Sequence, residues 1–295
     1  MAVFPDEDLI ICVACGTQYD VTYEQELERC KICDDPRQFI PPSGQQWTSL
    51  GREKGKHENK WEQDASDDRI WHLYADPKLG IGERASLIKT PHGNIIWDCF
   101  AYLSQDLVDF ITSQGGCAAL VISHPHFYTT HLVWAQLLHC PIYVHSADSE
   151  WLSRPCPPTL QRHLITSPTQ EILPGVTAIQ TGGHFPGSMV LHYDRHLFVA
   201  DSIMTQPAAY TPEPRPEGMG AYSFMWSIPN MIPLGPEGVK AIWNAVKGVE
   251  FSETHGLMMG MDVRHRDCKR WVLEGAKRQV RMMGWGGHEI LGEEI

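Results

Sequence analysis

Three short stretches carry most of the chemistry of this chain: SHPHFYTTHL from Ser123, GGHFPGS from Gly182, and HLFVAD ending at Asp201. His124 and His126 stand two residues apart, and on an extended backbone side chains alternate with period two, so both imidazoles fall on one face. Pro125 biases His124 toward the extended region, which presets the pair to chelate. In GGHFPGS the glycines let the backbone bend sharply and present His184, and Asp201 then offers a carboxylate at the end of an apolar run. Three imidazoles and one carboxylate make a good set of zinc ligands that can keep room for a water.

A second constellation lies nearer the start. CVAC at 12 to 15 and CKIC at 30 to 33 are two Cys-x-x-Cys knuckles with fourteen residues between them. Cys12, Cys15, Cys30 and Cys33 then close a tetrahedral site of four thiolates with no open position, the pattern of structural zinc. A redox pair would open a helix inside a strand-helix-strand unit, and nothing like that surrounds Cys12. The polar stretch between the knuckles is too short to make its own core, so it depends on the ion to fold. Cys99, Cys117, Cys140, Cys156 and Cys268 are scattered and read as buried thiols of a reducing compartment.

The elements that must hold these groups follow from texture. Residues 1–50 form the zinc-ribbon segment, and 51–68 are charged and aperiodic, which reads as a linker or a solvated surface segment. From 69 to 295 short apolar runs alternate with helical patterns, so the chain is α/β in layered sheets. Strands are expected at 84–90, 94–99, 117–123, 141–145, 175–181, 188–193, 196–201 and 249–254, with a hairpin turning at Asp194 and Arg195. Helices are expected at 104–114, 131–139, 237–247 and 266–282. Asp98, His124, His126, His184, Asp201 and His255 all follow or end strands, and strands running the same way would gather them along one edge.

Charge narrows the partners. The 36 acidic residues outnumber the 24 lysines and arginines, giving a net charge of −12 that repels nucleic acid and anionic membranes. MAVFPDEDLI has no basic n-region, and no later run is long enough to span a bilayer, so a soluble cytoplasmic protein is expected.

From about residue 70 to 255, Asp98, HPH at 124–126, HFPGS from His184, FVAD ending at Asp201 and ETHG around His255 resemble, in order and spacing, the motifs of the metallo-β-lactamase superfamily. The resemblance implies an αββα sandwich with metal in a groove at one sheet edge, here behind an N-terminal four-cysteine ribbon. It implies that His124, His126 and His184 hold one metal and that Asp201 completes its shell. Where the family has Asp-His to build a second metal site, this chain has Tyr128 and Thr129, which implies a single ion in the groove. His131, on the first turn of a helix, and His255 are the remaining candidates for a further ligand. Asp98 suits support of the ligands by hydrogen bonding. Tyr128 suits either donation of its phenol to an oxyanion or packing beside the ligands.

The resemblance further implies a hydrolase of a small-molecule ester, lactone, thioester or amide, with Asp201 orienting a metal-activated water. Sulfur dioxygenases resembling the superfamily suggest an alternative in which iron sits on His124, His184 and Asp201, and a metal-binding protein without turnover is a third reading. The segment from 205 to 235, rich in Pro, Met and aromatics, suits a wall of the groove or a homo-oligomer contact.

Overall fold

Turn chemistry around the cysteines shapes the first elements. The computed structural model describes residues 4–25, 27–216 and 218–295. Strand β1 (Leu9–Cys12) ends on the first thiol, and after Gly16 the chain returns antiparallel as β2 (Gln18–Thr22). Cys30 precedes a single helical turn, α1 (Lys31–Asp34), which carries Cys33, and β3 (Trp47–Ser49) lines the other side of β1. Ser49 then caps another single turn, α2 (Leu50–Glu53), by accepting from the Arg52 amide at 3.3 Å.

The expected linker at 51–68 is corrected by the structure: Glu58–Gln63 form strand β4, at the edge of a seven-stranded sheet. Its sequence, ENKWEQ, hides the strand because one aromatic carries the packing. Trp61 stacks on Phe110 at 4.5 Å, while the charged neighbours keep the open edge from pairing with another chain. Next come β5 (Ile70–Asp76), β6 (Ala85–Thr90) and β7 (Gly93–Trp97), each antiparallel to the one before.

Beyond β7 the pairing turns parallel. Helix α3 (Gln105–Ser113), capped by Ser104, leads to β8 (Ala119–Val121); helix α4 (His131–Leu138) leads to β9 (Ile142–His145), and β10 (Arg162–Ile165) ends the sheet. The order is β10-β9-β8-β7-β6-β5-β4. Because β7, β8 and β9 run the same way, the residues that follow them lie along one edge, as the sequence suggests for Asp98 and His124.

From Ser167 the chain forms a second compact unit. Strands β11 (Thr169–Leu173), β12 (Val176–Gln180), β13 (Met189–Tyr193) and β14 (His196–Ala200) make an antiparallel meander. The β13–β14 turn is the expected hairpin, with Asp194 at φ +55°. Two short hairpins follow, β15 (Met204–Thr205) with β16 (Tyr222–Ser223) and β17 (Met225–Ser227) with β18 (Ile232–Pro233). Helix α5 (Pro236–Val246) then leads to β19 (Glu253–Gly256), parallel to β14, and β20 (Asp262–Arg264) precedes helix α6 (Cys268–Met282).

Strand β19 starts later than the run at 249–254 suggests, because Phe251 is buried in the helix-side core and Val249 packs against it. That core joins Leu197 and Val199 of β14 to Val239, Trp243 and Val246 of α5 and to Val272, Ala276 and Val280 of α6. Alternation along β14 therefore turns His196 and Phe198 to the opposite face. Among the described residues no helix is long and apolar enough to cross a membrane. Trp243→Ala should destabilise the protein by about 3–5 kcal/mol, read as a lower denaturation midpoint, because it empties the centre of this core.

Candidate metal centres

The four cysteines of the two knuckles meet. Cys12 Sγ lies 3.6 Å from Cys33 Sγ and Cys15 Sγ lies 3.4 Å from Cys30 Sγ, too far for disulfides and close to the edge of a tetrahedron, about 3.8 Å for metal–sulfur bonds of about 2.3 Å. Hydrogen bonding from Cys15 holds the Cys12 thiol well below the usual range, while burial pushes Cys15 well above it. Polar neighbours complete the nest: the Tyr19 hydroxyl donates to Cys30 Sγ and the Gln45 amide to Cys12 Sγ, each at 3.2 Å. Donors aimed at sulfur favour thiolates, the form that binds metal.

In the first unit, His124 and His126 come together. His124 is extended, at φ −168° and ψ 173°, as Pro125 requires. The rest of the pair departs from the expected alternating strand, because Pro125–Phe127 form a single 3₁₀ turn with proline at its start. That turn, rather than strand pleating, brings the two rings to a centroid distance of 5.1 Å. Ser123 Oγ lies 2.8 Å from His124 Nδ1, and by accepting its proton would leave Nε2 a lone pair. Asp98, at φ +61° just after β7, accepts from the Ser123 amide at 2.7 Å and so fixes the start of the loop.

In the second unit, His184 and Asp201 come together. Gly182 and Gly183 take φ +61° and +83°, and a Cβ on Gly183 would stand 2.9 Å from both Ile242 and Leu234, so the bend before His184 needs glycine. Ser188 closes the turn by accepting from the Phe185 amide at 2.9 Å, and Thr181 Oγ1 joins it to Ser202 Oγ at 2.8 Å. His184 Nδ1 lies 2.9 Å from the Trp226 carbonyl, which can only accept, so the proton is on Nδ1. Nε2 faces Asp201 Oδ2 at 3.4 Å. The Trp226 carbonyl is a functional contact that residue types could not announce, since any residue supplies one.

The other candidates are placed differently. His131 donates from Nδ1 to the Tyr128 carbonyl at 2.6 Å, and its Nε2 accepts from Arg162 at 3.3 Å. Both nitrogens are engaged in hydrogen bonds, and among the described residues no group of ligand-type side chains includes His131. The Tyr128 hydroxyl donates to the Asp148 carbonyl at 3.4 Å, and burial pushes its pKa well above the usual phenol range. His255 lies within β19 and stacks on Phe198. Its Nδ1 meets Asp262 Oδ1 at 3.0 Å and its Nε2 meets His196 Nδ1 at 3.0 Å, while Glu253 Oε2 is 3.6 Å from the same His196 atom. A proton chain from His196 to His255 to Asp262 accounts for these contacts, although the ligand-type atoms of His196, Glu253 and His255 would also suit an ion. No local pattern singles out His196, because the register pairing His196 with Glu253 and Phe198 with His255 is tertiary information.

The expected aromatic segment at 205–235 also resolves in part. Tyr222 and Phe224 are buried in the helix-side core, while Met231 stays 80% exposed.

No family model matches the chain. Over 247 residues it is 35% identical to the uncharacterized protein YmaE of Bacillus subtilis (strain 168), covering 83% of this chain and 86% of that protein. Among solved structures it is similar to the DIM-1 metallo-β-lactamase, in a structure exposed to ceftazidime, with a TM-score of 0.53, 13% identity, and coverage of 77% of this chain and 98% of that one. It is likewise similar to the metallo-β-lactamase FIM-1 from Pseudomonas aeruginosa in its mono-zinc form, with a TM-score of 0.51, 11% identity, and coverage of 75% and 96%. The fold is therefore the metallo-β-lactamase fold, as the motif order implies, preceded by the four-cysteine cluster.

The buried His131 gives a pH prediction. Burial lowers its pKa to about 3, against 6.5 for an ordinary histidine. Between those values the unfolded chain binds the proton and the folded one does not, so the stability is present above 6.5 and is lost as pH falls toward 3. His131→Gln should flatten that part of the curve, measured as denaturation midpoints at neutral and acid pH.

Proposed function

We infer that this chain, which belongs to one family with YmaE of Bacillus subtilis and has the metallo-β-lactamase fold, is a metal-dependent hydrolase of a small-molecule ester, lactone, thioester or amide. One zinc ion would be held by His124, His126, His184 and Asp201, and a structural one by Cys12, Cys15, Cys30 and Cys33. The observation that carries the reading is the His184–Asp201 pair. The two side chains meet at 3.4 Å, and about 3.4 Å is also the edge of a tetrahedron of nitrogen and oxygen ligands around zinc, which supports the reading.

When bound, zinc would lower the pKa of a water toward about 7 and polarise a substrate carbonyl. The chain's own residues do the positioning. The Trp226 carbonyl orients His184 by accepting from Nδ1, so that Nε2 faces Asp201, and the Ser123 hydroxyl orients His124 through its Nδ1. Asp98 steadies that loop through the Ser123 amide. Asp201 would orient the attacking water or accept its proton. Tyr128, engaged with the Asp148 carbonyl, is assigned to packing the loop behind the ligands rather than to an oxyanion.

Protein purified without added metal should contain near two zinc ions per chain, and a Cys12→Ser/Cys30→Ser variant near one. Asp201→Asn should lower kcat/KM by about 10² or more on whichever ester or lactone the wild type cleaves. Iron as the native ion outside the thiols would replace this reading by the oxygenase. A fully metal-loaded chain inert across an ester, lactone, thioester and amide panel would end the hydrolase reading.

A further inference from the structure

The first cysteine knuckle touches the loop that carries His124 and His126, and we propose that the four-cysteine site sets the geometry of that loop, so that loss of the thiolate-bound ion weakens metal binding by the histidines. The inference deepens the function proposed above and rests on its ligand assignment.

The contact is direct. The Gln18 amide, three residues past Cys15, donates to the Thr129 carbonyl at 3.2 Å. Thr129 is buried and held at φ +23°, outside the ordinary range of a β-branched residue, so it keeps that shape only while its neighbours impose it. Its hydroxyl sits 3.3 Å from Cys99 Sγ, whose thiol also reaches the Phe127 carbonyl at 3.3 Å. Gly16, next to Cys15, is packed so closely that a Cβ there would stand 2.8 Å from the Ala101 Cβ and 3.4 Å from Thr129 Cγ2. The knuckle is a closed turn that carries Cys12 and Cys15 on its backbone: the Gly16 amide donates to the Cys12 carbonyl at 2.8 Å and the Cys12 amide to the Thr17 carbonyl at 2.9 Å.

A second brace runs around the side. Arg154 donates to Gln18 Oε1 at 2.7 Å, and Ser153 Oγ to the Gln18 carbonyl at 2.7 Å. The Arg154 carbonyl accepts two bonds from Arg162 at 3.2 Å, Arg162 donates to His131, and His131 donates to the Tyr128 carbonyl. Tyr128 and Thr129 are thus pinned from both sides, two and three residues beyond His126. A knuckle that needs its ion to hold its turn would release both braces when the ion leaves. Ligands no longer held in position bind metal less tightly, typically by 10- to 100-fold when a supporting contact is lost, on the order seen for outer contacts of metal sites.

The test uses the full chain reconstituted with cobalt(II), whose near-ultraviolet thiolate charge-transfer absorption reports the cysteine site separately from a nitrogen–oxygen site. Arg154→Gln and Gly16→Ala keep all four thiols; Cys30→Ser removes one. In the wild type two ions bind. All three variants should lose at least tenfold in affinity at the site without thiolate absorption, and amide hydrogen exchange across 123–131 should speed at least tenfold. Affinity within twofold of wild type and unchanged exchange in Arg154→Gln and Cys30→Ser would overturn the coupling. A wild type that binds only the thiolate-ligated ion would instead overturn the ligand assignment, and exchange across 123–131 would then decide the mechanical link by itself.

Discussion

The meeting of His184 Nε2 with Asp201 Oδ2 at 3.4 Å is the constraint around which the second unit is arranged. The surroundings enforce that meeting. The Trp226 carbonyl takes the only ring proton of the neutral imidazole, the paired glycines fix the approach of the ring, and Asp201 is delivered by the end of a strand anchored in the helix-side core. These contacts bring a histidine and a carboxylate together, which supports the proposed metal site.

The cysteine cluster obeys the same rule with different atoms. Four thiols within tetrahedral reach cannot all be neutral and well bonded, and the hydroxyl of Tyr19 and the amide of Gln45 point toward sulfur as they would toward negative charge. With no open position this site suits structure rather than turnover. Its contacts explain what it is a structure for: the knuckle leans on Thr129, so the ribbon is a support for the histidine loop as well as an appendage to it.

Local chemistry was legible in the sequence wherever a residue's own type dictated the outcome. The Cys-x-x-Cys spacing foretold the thiol cluster, Pro125 foretold the extended backbone of His124, and the glycines before His184 foretold the bend that presents it. The apolar periodicity gave the four long helices to within a few residues. What stayed hidden was set by partners distant in sequence. The strand at Glu58–Gln63 is recognisable only through Trp61 meeting Phe110; the turn after Pro125 replaces strand alternation because Asp98 and Ser123 fix its start; and the meeting of His196 with His255 depends on a parallel register that no local pattern encodes. His131 looked available because its helix position was visible and its two hydrogen-bond partners were not.

The central claim is that this chain holds two ions in chemically different nests, one of sulfur and one of nitrogen and oxygen. Zinc X-ray absorption on the protein as purified reads that difference directly. The account predicts a mixed shell, sulfur at about 2.3 Å together with nitrogen and oxygen at about 2.0–2.1 Å, reduced to the nitrogen–oxygen shell alone in a Cys12→Ser/Cys30→Ser variant. A shell of sulfur only in the wild type, with no zinc left in the variant, would contradict it.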